Sequence, residues 1–125
     1  GAAHDSRTPT WLIEGLADYV GYKDTSAPTA TAAKELQTDL AAGRTPAVLP
    51  APDQFGGGST ALPQAYEEAW LACRMIAERY GEPALMRLYH AAGHEDQDTA
   101  IQSTLDLTTR QLTAQWIAYL HQQLG

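Results

Sequence analysis

With 125 residues, 44% of them hydrophobic, the chain has enough material for one domain with a real core and too little for two. Its net charge of −7, with only eight Lys and Arg scattered singly, argues against nucleic acid or an anionic membrane as partner, since both need a basic patch. No stretch approaches the roughly twenty apolar residues of a membrane span, and the single Cys73 excludes a disulfide within the chain while leaving its redox compartment open.

Thr8 and Pro9 predict the start of a helix, Thr8 as N-cap and Pro9 at the first helical position, with an end near Gly21. His4, ahead of it, reads as linker. Within this helix Glu14 and Asp18 stand one turn apart and share a face with Trp11, while Leu12, Ile13, Leu16, Ala17, Tyr19 and Val20 cover the rest. No clean solvent face is left for the two charges. A buried carboxylate costs several kcal/mol, by rough estimate, unless a metal, a cation or hydrogen-bond donors satisfy it.

Residues 22 to 31, rich in Thr, Ser, Ala and Pro, read as a linking loop, and a second helix is expected from Ala32 to Ala42, stopping at Gly43. From Arg44 to Leu62, Pro46, Pro50 and Pro52 and then Gly56-Gly57-Gly58 predict an extended surface loop. The glycine triplet is not followed by Gly-Lys-Ser/Thr, so a flexible loop bordering a cleft is expected in place of a phosphate loop.

Pro63 opens the strongest helix, in which Ala65, Tyr66, Ala69, Trp70, Cys73, Met75, Ile76 and Tyr80 recur at helical spacing before Gly81 stops it. Trp70 and Trp116 read as core anchors and Cys73 as a small buried thiol. Glu82-Pro83 starts a helix running to Gly93, and Asp96 or Asp98 caps a short one through Ile101 and Leu105. The final helix opens with the capping box Thr108-Thr109-Arg110-Gln111 and buries Leu112, Trp116, Ile117, Tyr119 and Leu120. Nothing alternates with period two over strand length. The expectation is an all-α fold of about six helices, a single helical domain or subdomain over residues 1–125.

The string Trp11-Leu12-Ile13-Glu14-Gly15-Leu16-Ala17-Asp18-Tyr19 resembles the W-L-x-E-G-x-A-x-Y signature of the gluzincin zinc metallopeptidases, of the aminopeptidase-N type and the peptidase-MA-like group. The resemblance implies that Glu14 is the third zinc ligand. It also implies a supporting role for Asp18, because the E-x-x-x-D spacing is similar to that of thermolysin-like gluzincins, where the Asp orients a ligand His. Ala65-Tyr66-Glu67-Glu68-Ala69 is similar to the aminopeptidase stretch P-Y-E-K-G, which implies an oxyanion-stabilising Tyr66; Glu68 and Ala69 stand where that family has Lys and Gly.

In these enzymes two His from an H-E-x-x-H helix complete the metal site and its Glu activates the bound water. This sequence contains no H-E-x-x-H. The resemblance therefore implies the C-terminal helical half of a zincin-like catalytic domain, whose missing N-terminal half supplies the rest of the zinc site and whose substrate is a peptide. On that reading the chain alone is inactive, and the apolar face of the first helix left uncovered favours self-association. Two other readings stand beside it. One is a non-catalytic module that keeps the scaffold and binds a protein partner; the other is an ordinary helical scaffold whose Glu14 lies at the surface.

The remaining polar candidates have plainer expectations. His90 and His94, four apart, flank a helix end without the inner Glu of a zinc helix. Arg74 and Arg79 are expected to ion-pair on a solvated face, and His121 to complement the dipole at the last helix's C-terminus.

Overall fold

The computed structural model describes residues 8–125, so His4 lies outside the described residues. These fold into α1 (Thr10–Tyr22), α2 (Thr29–Ala32), α3 (Lys34–Ala41), a 3-10 turn (Pro52–Phe55), α4 (Leu62–Tyr80), α5 (Glu82–Ala91), α6 (Gln97–Leu105) and α7 (Thr109–Leu124), with no strand among them. The all-α expectation holds. There are seven α-helices among the described residues where about six were expected, because the short α2 forms in the segment expected to be loop, just ahead of α3, which matches the predicted second helix.

The break between α2 and α3 falls at Ala33, whose φ of −119° and ψ of 40° are not helical. Neither Gly nor Pro marks it, and α2 begins at Thr29. Other boundaries also shift. Pro9, not Thr8, is the N-cap of α1, with no side-chain cap; α5 ends at Ala91 rather than running to Gly93; and the expected extended loop contains the 3-10 turn.

Helix α4 is the axis of the fold, contacting α1, α3, α5, α7 and the 3-10 turn. That role follows from its sequence: Ala65, Ala69, Trp70, Leu71, Ala72, Cys73, Met75 and Ile76 are all buried, which leaves little of its middle for solvent. At its C-terminus Gly81 caps α4 through its N–H to the Ala77 carbonyl and at once becomes the N-cap of α5. Its φ of 92° with ψ of 145° is a conformation open essentially to glycine alone, so the two helices turn on this one residue.

Helix α7 closes the core. The Thr108 hydroxyl accepts from the Gln111 N–H at 3.0 Å while the Gln111 side chain accepts from the Thr108 N–H at 2.9 Å, so the expected capping box forms in full. Trp116 is fully buried, and its indole Nε1 donates to the Glu68 carbonyl at 3.1 Å. Asp96 is the cap of α6, accepting from the Thr99 N–H at 2.8 Å.

Candidate functional site

The residues of the first motif divide into those that pack and those that do not. Trp11 and Leu12 are buried, and the Trp11 indole donates to Gln97 Oε1 at 2.9 Å. Gly15 is buried against α4: a Cβ there would stand 2.3 Å from the Ala69 carbonyl oxygen and 2.8 Å from Cys73 Sγ. This close approach is a packing reason for the glycine after Glu14. Tyr19 donates to Glu82 Oε2 at 2.7 Å, and Lys23 Nζ reaches the same oxygen at 2.8 Å. Both bonds hold the Glu82 carboxyl below its usual range.

Glu14 and Asp18 remain. Glu14 is half-buried and makes no hydrogen bond or ion pair among the described residues. The expectation of a helix apolar on every side needs correction, because its outer stripe is exposed: Ile13 at 40% and Val20 at 60%, with Ala17 between them. Glu14 sits at the edge of that stripe. Asp18 is also half-buried, and its carboxyl is raised above the usual range first by burial and then by the charge of Glu14.

Asp18 lines a cleft of about 180 Å³ between α1 and α4, together with Tyr22, Tyr66, Glu67 and Trp70. Asp18 and Tyr66, far apart in sequence, are thereby brought together, and Glu14 acts on Asp18 through its charge. Two of the rings pack on each other and the third on the 3-10 turn. Tyr22 lies on Trp70 with centroids 4.6 Å apart, and Phe55 of the 3-10 turn meets Tyr66 edge-on at 5.1 Å.

Two carboxyls to which the sequence reading gave no structural role, Glu67 within the P-Y-E-K-G resemblance and Glu68 a departure from it, prove structural. Glu67 is 9% exposed and accepts from the Leu36 N–H at 2.8 Å. It supplies from another helix the cap that Ala33 cannot give α3. Glu67 and Glu35 are hydrogen-bonded carboxyl to carboxyl; burial first, and that bond second, push Glu67 well above the usual range, while Glu35 is lowered. Glu68, 7% exposed, is pushed up to about 7 by burial and by Asp39. Two adjacent acids inside the strongest predicted helix were the available signal.

Arg74 forms an ion pair on its own helix, Nε 3.7 Å from Glu78 Oε2, and makes hydrogen bonds well beyond it. Its Nε donates to the Tyr119 hydroxyl at 2.7 Å, Nη1 to Thr29 Oγ1 at 2.8 Å and Nη2 to Gln123 Oε1 at 2.7 Å, tying α4 to α2 and α7. Tyr119 in turn donates to Glu78 at 2.8 Å. His90 and His94 are exposed with ring centroids 4.8 Å apart. Among the described residues no group of three or more His, Cys, Asp or Glu is arranged to hold a metal ion. No family model, curated protein or solved structure matches the chain.

Proposed function

We propose that the chain is the C-terminal helical part of a zinc-dependent metallopeptidase in which Glu14 is the third metal ligand. What supports the reading is the convergence of the motif residues: Asp18 and Tyr66 line one cleft, and Glu14 stands one turn from Asp18 with no described partner of its own. A zinc site with three protein ligands needs two imidazoles besides a carboxylate, and these come from outside this sequence. Glu14 fits one position of that set, since a half-buried carboxylate free of ion pairs need break no bond to become a ligand. Zinc held there would lower the pKa of a bound water and polarise the peptide carbonyl. Tyr66, its ring fixed by Phe55, donates its O–H to charge developing on the scissile carbonyl oxygen.

The non-catalytic alternative is favoured by the exposed stripe Ile13, Ala17 and Val20, an apolar surface suited to another protein. One experiment separates the two. The coding sequence is read for roughly forty residues ahead of Gly1, a span that would contain the partner helix of a zincin site, and the longer protein is assayed for zinc content and peptide hydrolysis. H-E-x-x-H, stoichiometric zinc and a loss of both zinc and activity in Glu14→Gln are expected. A longer protein without that motif and without bound zinc overturns the peptidase reading.

A further inference from the structure

We propose that the cleft between α1 and α4 binds an alkylammonium group, seated against the Asp18 carboxylate and the rings of Tyr22 and Tyr66. The lining combines two carboxyl groups with three aromatic rings and includes no Lys or Arg. Of the two acids, Glu67 is already engaged by the Leu36 N–H and by Glu35. Asp18 has no hydrogen bond or ion pair among the described residues, and the basic side chains of the neighbouring cleft are committed elsewhere: Lys23 to Glu82, Arg74 to Tyr119, Thr29 and Gln123. A half-buried carboxylate without a counter-ion, lining a cleft with aromatic walls, is best satisfied by a cation from solution.

The walls decide which cation. Aromatic faces attract a cation through the ring quadrupole but cannot ligate a metal, and they replace water most favourably around an alkyl-substituted ammonium. Tyr22 and Tyr66 line the cleft, while Trp70, almost wholly buried, packs on Tyr22 and already carries the Arg74 guanidinium 5.2 Å from its ring centroid, which leaves the two tyrosines for the guest. The volume of about 180 Å³ is below that of a pocket for a whole drug-sized ligand and suits a single head group. Burial raises Asp18, and a bound ammonium would bring it back down. The inference does not depend on the peptidase reading and gives Asp18 a different role, meeting a ligand directly instead of supporting an imidazole.

The test is an NMR titration of the chain with tetramethylammonium chloride, n-butylammonium chloride and acetyl-Ala-Lys-Ala-amide, against sodium chloride at equal ionic strength. Saturable shifts of the Trp70 indole and of the amides at Asp18 and Tyr66 are expected with the ammonium ligands and not with sodium. Tighter binding of the peptide than of n-butylammonium assigns a lysine side chain as the natural guest; equal binding assigns a free amine. The near-isosteric Asp18→Asn should weaken binding at least tenfold with its amide spectrum otherwise preserved, whereas Asp106→Asn, an exposed acid at the end of α6, should not. Tyr66→Leu should weaken tetramethylammonium more than n-butylammonium. Linear shifts that sodium reproduces, or unchanged binding in Asp18→Asn, overturn the proposal.

Discussion

Helix α4 meets α1 and α3 through interfaces made of opposite materials. Against α1 it offers Ala69 and Cys73 to the bare backbone of Gly15, with Trp11 and Leu12 buried beside them. Against α3 it offers Glu67, with Glu68 nearby, and α3 answers with Glu35, Asp39 and the N–H of Leu36. The first contact has no room for an atom, and its strength comes from close packing. The second sets Glu67 against Glu35 and the Leu36 N–H beside the buried Leu36 and Leu40, with Asp39 paired to Arg44, so part of its strength depends on pH. The contrast shows how one helix can fasten a rigid neighbour and a conditional one.

The largest effect is expected at the tight interface. In Gly15→Ala the new Cβ meets a backbone carbonyl oxygen at 2.3 Å, an atom that cannot swing aside. The helices must separate, at a cost of about 3 kcal/mol by the scale of overpacked cores, which lowers Tm by on the order of 10 °C in a chain of this size. A Tm within two or so degrees of the parent, by calorimetry, would show that α1 and α4 are not closely apposed.

At the acidic interface the expected effect is conditional and no larger. Glu67 and Glu68 hold protons in the fold at pH values where the unfolded chain, with carboxyls near 4.5, has released them. The stability they confer is therefore complete below about pH 4.5 and declines as pH rises toward and past 7, where Glu68 ionises. The decline should be about 3 kcal/mol or less for Glu68, opposite in sign to the usual effect of salt-bridged carboxylates. Glu67→Gln keeps an acceptor for the Leu36 N–H and should flatten the dependence, whereas Glu67→Ala should cost roughly 1–2 kcal/mol at low pH by uncapping α3, and less as pH rises. Denaturant melts from pH 4 to 8, with amide exchange over residues 34–41, measure both. A stability that rises with pH across this range, and that Glu67→Gln leaves unchanged, would sink the shared-proton account.

The same two interfaces mark what was legible in the sequence. Local chemistry read well: Gly81 as a stop, the Thr108 and Gln111 box, and Trp70, Trp116 and Cys73 as buried residues each carry their reason within a few positions. The split at Ala33 did not, because no breaker marks it and its cap comes from Glu67, which is distant in the chain. Counting apolar residues around α1 also misled. Ile13 and Val20 face outward, so an apolar residue on a helix is no proof of a buried face, and Glu14 lies nearer solvent than its neighbours suggested. That Asp18 and Tyr66 share a cleft follows only from the α1–α4 contact that Gly15 permits.

Glu14 is where the smallest change in stability carries the most information. On the same helix as Gly15 but with no described hydrogen bond or ion pair, it should tolerate Glu14→Ala with a change below about 0.5 kcal/mol. A loss above about 1 kcal/mol would make it a structural carboxylate and remove the need for a metal. Near-neutral stability alone does not separate a ligand from an accidental surface acid. Zinc content of the longer protein does: a fall of at least about tenfold in affinity on Glu14→Gln, with stability of the metal-free protein unchanged, is what a ligand held in reserve must show. Equal zinc in parent and variant would leave Glu14 an edge residue of an apolar stripe, and the stripe itself would become the functional surface.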